Sequence, residues 1–69
     1  MAEIMYDGRR IPIPEGTYTG LELQENVGAE KDAIPVIHRE GKDIPVAPNE
    51  QAILETGDRI SFNTPMEAA

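Results

Sequence analysis

The stretch that decides the fold reads YTGLELQENVG and runs from Tyr18 to Gly28. Thr19 is a favourable N-cap residue, and Glu22, three positions later, completes a capping box. Gly28 suits the left-handed residue that ends many helices. The pattern therefore predicts one complete short helix, which at ~1.5 Å per residue spans only about 12 Å. Because so short a helix does not persist alone, we expect it to pack on a sheet.

Two strands joined by a tight turn are predicted before the helix. Residues 3–6 alternate between the two faces of a strand, and the Asp-Gly pair after them is a strong hairpin signal. In the next strand, over residues 9–14, Pro12 and Pro14 both lack a backbone N–H and remove donors from the same side. That side must be unpaired, so this strand is predicted to be an edge of the sheet.

Three further strands are predicted after the helix. Residues 34–39 form the first, and residues 40–42 are interpreted as a three-residue hairpin loop. A short strand follows at 43–46, where Pro45 again favours an edge position. The last strand, 59–64, alternates well and is rich in core positions. We expect it to lie beside the first strand, parallel to it and in the centre of the sheet.

This order of elements predicts an α+β domain of the β-grasp type. A mixed sheet of four to five strands packs on one short helix, and a small barrel of the SH3 or OB kind is the alternative. The predicted domain covers residues 1–65, and residues 66–69 form a flexible tail.

Composition limits the possible functions. The chain has 69 residues and no cysteine, so disulfides and thiolate metal sites are excluded. With 13 acidic and 6 basic residues, its formal net charge is −7. This balance argues against nucleic acid and against anionic membranes as partners. It is typical of a soluble acidic protein and also suits a basic protein partner. The absence of a membrane-spanning run or a signal peptide predicts a cytoplasmic location.

The side chains that carry chemistry are few. His38 is the only histidine, and a lone histidine on a predicted strand is usually structural. A zinc site needs three or four ligands at suitable spacing, and the aspartates fall at predicted turns, where they cap backbone N–H groups. Ser61 is the only serine and has no nucleophile elbow around it. The sequence therefore predicts a protein that is not an enzyme and holds no metal or cofactor.

Four short motifs resemble those of ubiquitin-like β-grasp proteins, and most of all the bacterial multiubiquitin-type domains. They are DGR at 7–9, YTG at 18–20, Gly28, and ETGDRI at 55–60. The resemblance covers residues 3–65 and implies a protein modifier, or one unit of a modifier array, whose partners are activating or conjugating enzymes. Sulfur carriers share the fold and the Gly-Asp turn, so a sulfur-carrier-like protein is an alternative, as is a non-covalent interaction module.

The resemblance also implies two contact regions. Modifiers in this family carry a flexible tail that ends in glycine, whereas no glycine follows Gly57 here. The tail residues are Pro65, Met66, Glu67, Ala68 and Ala69. Ubiquitin-like sheets commonly expose an apolar patch on the face away from the helix, and such a patch usually marks a contact site. The residues predicted to supply it are Met5, Val36 and His38, with Ile44 or Val46 depending on the register.

Overall fold

The computed structural model describes residues 1–30 and 32–63. Within them the chain forms two sheets and one helix. The elements are β1 (Ala2–Tyr6), β2 (Arg9–Ile13), β3 (Gly16–Thr19), α1 (Gly20–Val27), β4 (Ile34–Arg39), β5 (Lys42–Pro45), β6 (Gln51–Leu54) and β7 (Arg59–Asn63). The predicted domain boundary after residue 65 lies outside the described residues.

The main sheet confirms the predicted β-grasp arrangement. Its five strands follow the order β2-β1-β7-β4-β5, so the first and last strands are neighbours in the centre. They run parallel, with Ile4 opposite Ile60, while the other pairs are antiparallel. Strands β2 and β5 are the edges, as Pro12 and Pro45 predict, whereas β4 carries Pro35 near its start and lies inside the sheet. The barrel alternative is thereby excluded.

The helix begins and ends where the sequence predicts. The Thr19 hydroxyl accepts a hydrogen bond from the Glu22 amide (3.1 Å), and the Glu22 carboxylate accepts one from the Thr19 amide (2.8 Å). Gly28 closes the other end in the left-handed conformation, with φ 71°. These caps satisfy backbone groups that the helix itself cannot pair.

Replacing Thr19 with alanine is expected to lower the free energy of unfolding by about 1 kcal/mol, because the Glu22 amide then loses its acceptor. Urea denaturation followed by circular dichroism measures this change. Glu25→Ala, an exposed change in the same helix, should have little effect. Equal stability of the parent and the Thr19 variant would contradict a contribution from the capping box.

The core lies between the main sheet and α1. A row of isoleucines crosses all five strands on the face that meets the helix, and Leu23 of α1 is fully buried in the same cluster. The row is Ile11, Ile4, Ile60, Ile37 and Ile44. Full burial of such a side chain stabilises the fold by roughly 1.5–3 kcal/mol. Without cysteine, this apolar layer is the main source of stability.

Gly20 lets a loop lie directly against the helix N-terminus. The amide of Gly20 donates to Glu50 O (3.2 Å), and the amide of Leu21 donates to Pro48 O (3.0 Å). A methyl group at position 20 would lie 2.7 Å from the carbonyl oxygen of Val46. Close packing therefore explains a glycine at a position where its helix propensity is poor.

A second sheet was not expected from the sequence. Strands β3 and β6 pair antiparallel, with Thr17 opposite Ile53. They connect the entry of the helix to the segment before β7. Leu54 belongs to the buried core, whereas Ile53 points outward and is 65% exposed.

An ion pair fastens the end of β4 to the turn before β7. Asp58 is only 3% exposed, and its carboxylate accepts two hydrogen bonds from Arg39, at Nε (2.9 Å) and Nη2 (2.6 Å). It also accepts the amide of Glu55 (2.8 Å), while Arg39 Nη2 donates to the carbonyl of Ile53 (2.8 Å). The hydrogen bonds from Arg39 lower the pKa of Asp58 below its usual value. The carboxylate thus joins the end of β4 to the turn before β7, and Arg39 extends the contact to the end of β6.

We expect acid to destabilise the fold through two carboxylates. The pKa of Asp58 is lowered by Arg39, and the pKa of Glu15 is lowered to about 2, chiefly by its hydrogen bond to the N-terminal ammonium group. Because both values lie below those of the unfolded chain, their stabilisation is present above about pH 4 and is lost as the pH falls. Thermal unfolding between pH 2 and 6 measures this slope. It should become shallower in Asp58→Asn; an unchanged slope would contradict the assignment.

Candidate functional site

The face of the main sheet opposite α1 is the candidate functional surface. Strand alternation sends every second side chain away from the isoleucine row, and the register aligns these side chains across the strands. We call this surface the outer sheet face. Its residues are Glu3, Met5, Arg10, Pro12, Ile34, Val36, His38, Asp43, Pro45, Arg59, Ser61 and Asn63.

Two of the predicted contact residues lie exposed on the outer sheet face. Met5 is 37% exposed and lies opposite Arg10 of the edge strand. The side chain of His38 is 43% exposed and lies between β5 and β7. Whether either residue contacts a partner stays a prediction.

Three other residues were predicted to be exposed on the outer sheet face, and for these the prediction is wrong. Val36 is on the outer sheet face but is buried, so it offers almost no surface. Val46 is buried in the core, and Ile44 is partly buried against the core on the opposite face. None of the three contributes to an exposed apolar patch.

The length of the turn between β4 and β5 explains why the wrong side chains of β5 were predicted to face outward. The sequence predicts a three-residue loop, which would put Ile44 opposite His38. In the structure the turn has two residues, since Arg39 pairs directly with Lys42. Glu40 and Gly41 have φ values of 51° and 78°, as the tightest hairpin turns require. A register shift of one residue exchanges the two faces of a strand, so Asp43 and Pro45 occupy the outer sheet face instead.

The correct register creates a hydrogen-bonded chain of three side chains. His38 Nδ1 lies 2.8 Å from Asp43 Oδ1, and His38 Nε2 lies 2.7 Å from Ser61 Oγ. These residues come from three adjacent strands, β5, β4 and β7. The sequence pattern places Asp43 at a turn and indicates no role for Ser61. The hydrogen-bonded chain could have been predicted only from the pairing register of the strands, because His38 and Ser61 are 23 residues apart in sequence.

The outer sheet face also differs in charge from the rest of the molecule. It carries Arg10 and Arg59 against Glu3 and Asp43, so its formal charges balance. The whole chain has a net charge of −7. The excess of negative charge therefore lies elsewhere, for example at the exposed Glu22 and at other carboxylates away from this face. A partner approaching the outer sheet face meets a locally neutral surface.

A shallow groove of about 360 Å³ lies on another side of the molecule, along α1. It is lined by Tyr18, Glu22, Glu25 and Asn26. The Tyr18 hydroxyl donates to Pro14 O, and Glu22 serves the capping box. The Tyr18 hydroxyl and the Glu22 carboxylate are therefore engaged in structural hydrogen bonds, and the residues that line the groove do not indicate a catalytic site.

The predicted tail, residues 65–69, lies outside the described residues, so its contribution stays a prediction. Among residues 1–30 and 32–63, no group of three or more histidine, aspartate or glutamate side chains is arranged to hold a metal ion. In the same part of the chain, no helix has the length and apolar character needed to cross a membrane.

Comparison with known proteins gives no assignment: no protein-family profile, curated protein or solved structure matches this chain. The fold rests on the geometry described above.

Proposed function

We propose that this chain is a ubiquitin-like protein modifier, or one unit of a modifier array, that binds activating and conjugating enzymes through the outer sheet face and its C-terminal tail. The observation that carries the proposal is the β-grasp sheet with β1 and β7 parallel at its centre. In this arrangement the central strand β7 ends at Asn63, and the proposed reaction takes place at the C-terminus beyond it.

The character of the outer sheet face supports docking on the face rather than at an edge. Proline lies in both edge strands, at Pro12 and Pro45, and removes donors that an added strand would need. The face itself has balanced charge and an exposed methionine, Met5. The proposal includes a bacterial cytoplasmic location, where ATP is available for adenylation of the terminal carboxylate.

Incubation with ATP and the ubiquitin-like activating enzyme of the same genome tests the modifier function. Intact-mass spectrometry should detect an adenylate at the C-terminus of the natural gene product, and then a conjugate. A thiocarboxylate in place of a conjugate would indicate sulfur-carrier chemistry. Absence of both products, with enzyme that is active on another substrate, would rule out C-terminal activation.

A non-covalent protein-interaction module is the second candidate, and the same face supports it. Deletion of residues 65–69 separates the two functions. A module keeps its affinity for a protein partner without the tail, whereas a modifier loses all covalent product.

Charge inserted at Met5 should weaken docking in either case. Met5→Asp places a carboxylate in the outer sheet face, and we expect the affinity for the activating enzyme to fall at least tenfold, or about 1.4 kcal/mol, in isothermal titration calorimetry. Leu21→Asp is the matched control, because Leu21 is also exposed but lies on α1. If the two variants bind equally well, the docking surface is not the outer sheet face.

A further inference from the structure

The chain Asp43–His38–Ser61 has the connectivity of an activated nucleophile. A carboxylate accepts hydrogen bonds only, so His38 Nδ1 must carry the proton in its 2.8 Å contact with Asp43. In a neutral ring, His38 Nε2 is then an acceptor, and the Ser61 hydroxyl donates to it at 2.7 Å. A serine whose proton points at a neutral imidazole, itself oriented by a third group, is the arrangement that nucleophilic catalysis uses.

The group is accessible from solvent. Ser61 is half-buried, and the His38 side chain is 43% exposed on the outer sheet face. The helix α1 packs on the opposite side of the main sheet. We therefore expect a small reagent to reach Ser61 Oγ.

Two arginines lie on the same face of the sheet as the serine. Arg59 precedes Ser61 by two residues on the same face of β7, and Arg10 lies about two strand spacings, roughly 10 Å, away. Among the described residues, neither arginine is held in an ion pair. The outer sheet face as a whole is formally neutral, since Glu3 lies opposite Arg59 and Asp43 faces His38. The preference for a reagent with a negative charge next to the reacting carbon therefore rests on Arg59, the cation nearest to Ser61 along β7.

We propose that Ser61 is an acyl acceptor, and that its donors are small acyl phosphates. Ser61 Oγ attacks the acyl carbon, and the bond from that carbon to the phosphate oxygen breaks. The hydroxyl proton passes to His38 Nε2 and then to the departing phosphate. An ester on Ser61 and inorganic phosphate are the products, and no oxidant or reductant is needed. Asp43 is a positioning residue, since it acts through the ring of His38.

The backbone around Ser61 restricts the reaction to a single acylation. Ser61 lies in the central strand β7, where backbone amides serve the sheet ladders and do not converge on an oxyanion. We therefore expect a single acyl group at Ser61 that is released slowly, which is modification of the protein rather than turnover. The inference does not depend on the proposed modifier function.

Acetyl phosphate is the test reagent, with peptide mapping by tandem mass spectrometry as the readout. We expect acetylation at Ser61, and none at the Thr56 hydroxyl, which donates to Glu15 and has no imidazole beside it. His38→Gln should slow Ser61 acetylation about 100-fold, as expected when a general base is lost. Arg59→Gln should reduce the rate with acetyl phosphate about tenfold but hardly change that with neutral p-nitrophenyl acetate.

The pH profile distinguishes a base from a merely structural histidine. The charged groups that face His38 are Asp43 on β5 and Arg59 on β7. In the parent the rate should depend on pH, and in His38→Gln this dependence should vanish. Asp43→Asn should slow the reaction and leave thermal unfolding nearly unchanged. If Ser61 stays unmodified, or reacts as fast in His38→Gln as in the parent, the proposal is wrong.

Discussion

Replacing Gly20 with alanine should destabilise the domain by about 3 kcal/mol and lower its melting temperature by about 12 to 24 °C. On helix propensity alone the change would stabilise α1 by roughly 1 kcal/mol. The expected sign is reversed because the new methyl group would lie 2.7 Å from Val46 O, and a backbone carbonyl cannot rotate away as a side chain can. Separating the loop from the helix would also break the hydrogen bonds from Gly20 and Leu21 to that loop.

Calorimetry or urea denaturation of the Gly20 variant measures the effect. Gly41→Ala is the matched control, since it adds the same methyl group where nothing lies within 4 Å. Its positive φ of 78° should cost about 1 kcal/mol, well below the loss at Gly20. A Gly20 variant as stable as the parent would mean that the loop does not press on the helix N-terminus.

Replacing Asp58 with alanine should lower the free energy of unfolding by about 2 to 4 kcal/mol. The carboxylate is 3% exposed and accepts from Arg39 and from the Glu55 amide. Its removal leaves that amide without its side-chain acceptor and frees the guanidinium that also holds the carbonyl of Ile53. The turn before β7 and the end of β6 should therefore loosen together, which hydrogen exchange at these segments would detect.

Two further variants show which property of Asp58 matters. Asp58→Asn preserves the shape and one acceptor oxygen, so it should be more stable than the alanine variant but less stable than the parent. Glu55→Gln should change little, because Glu55 lies 3.8 Å from Arg39 and its side chain is 63% exposed. If Glu55→Gln proves as damaging as Asp58→Ala, the buried pair is not what fastens this turn.

Local signals in the sequence were sufficient for most of the fold. The helix is bounded by residues with distinct backbone roles, Thr19 and Gly28, and each acts through neighbours within a few positions. The edge strands were predicted from the missing N–H groups of Pro12 and Pro45, although Pro35 shows that a proline near the start of an inner strand is tolerated. The pairing of β1 with β7 followed from these edges and from the apolar alternation of the last strand.

Features that depend on the register between strands could not be predicted from such local signals. A hairpin loop one residue shorter than predicted moved Ile44 to the core side and brought Asp43 beside His38. The β3–β6 sheet was missed because each strand has only four residues and partners lie far apart along the chain. The role of Asp58 was equally hidden, since a turn aspartate looks the same in sequence whether or not an arginine reaches it.

The parallel pairing of β1 with β7 determines when the domain can fold during translation. Strand β1 is the first element along the chain and β7 is the last in the described part, and β7 alone joins the β1–β2 hairpin to the β4–β5 hairpin within the main sheet. In a nascent chain that has not yet released residues 59–63 from the ribosome, the main sheet consists of two hairpins that no strand joins, and closing so long a loop is slow. Folding during translation must therefore wait for the final strand, and a product truncated before Arg59 should be degraded rather than partly functional.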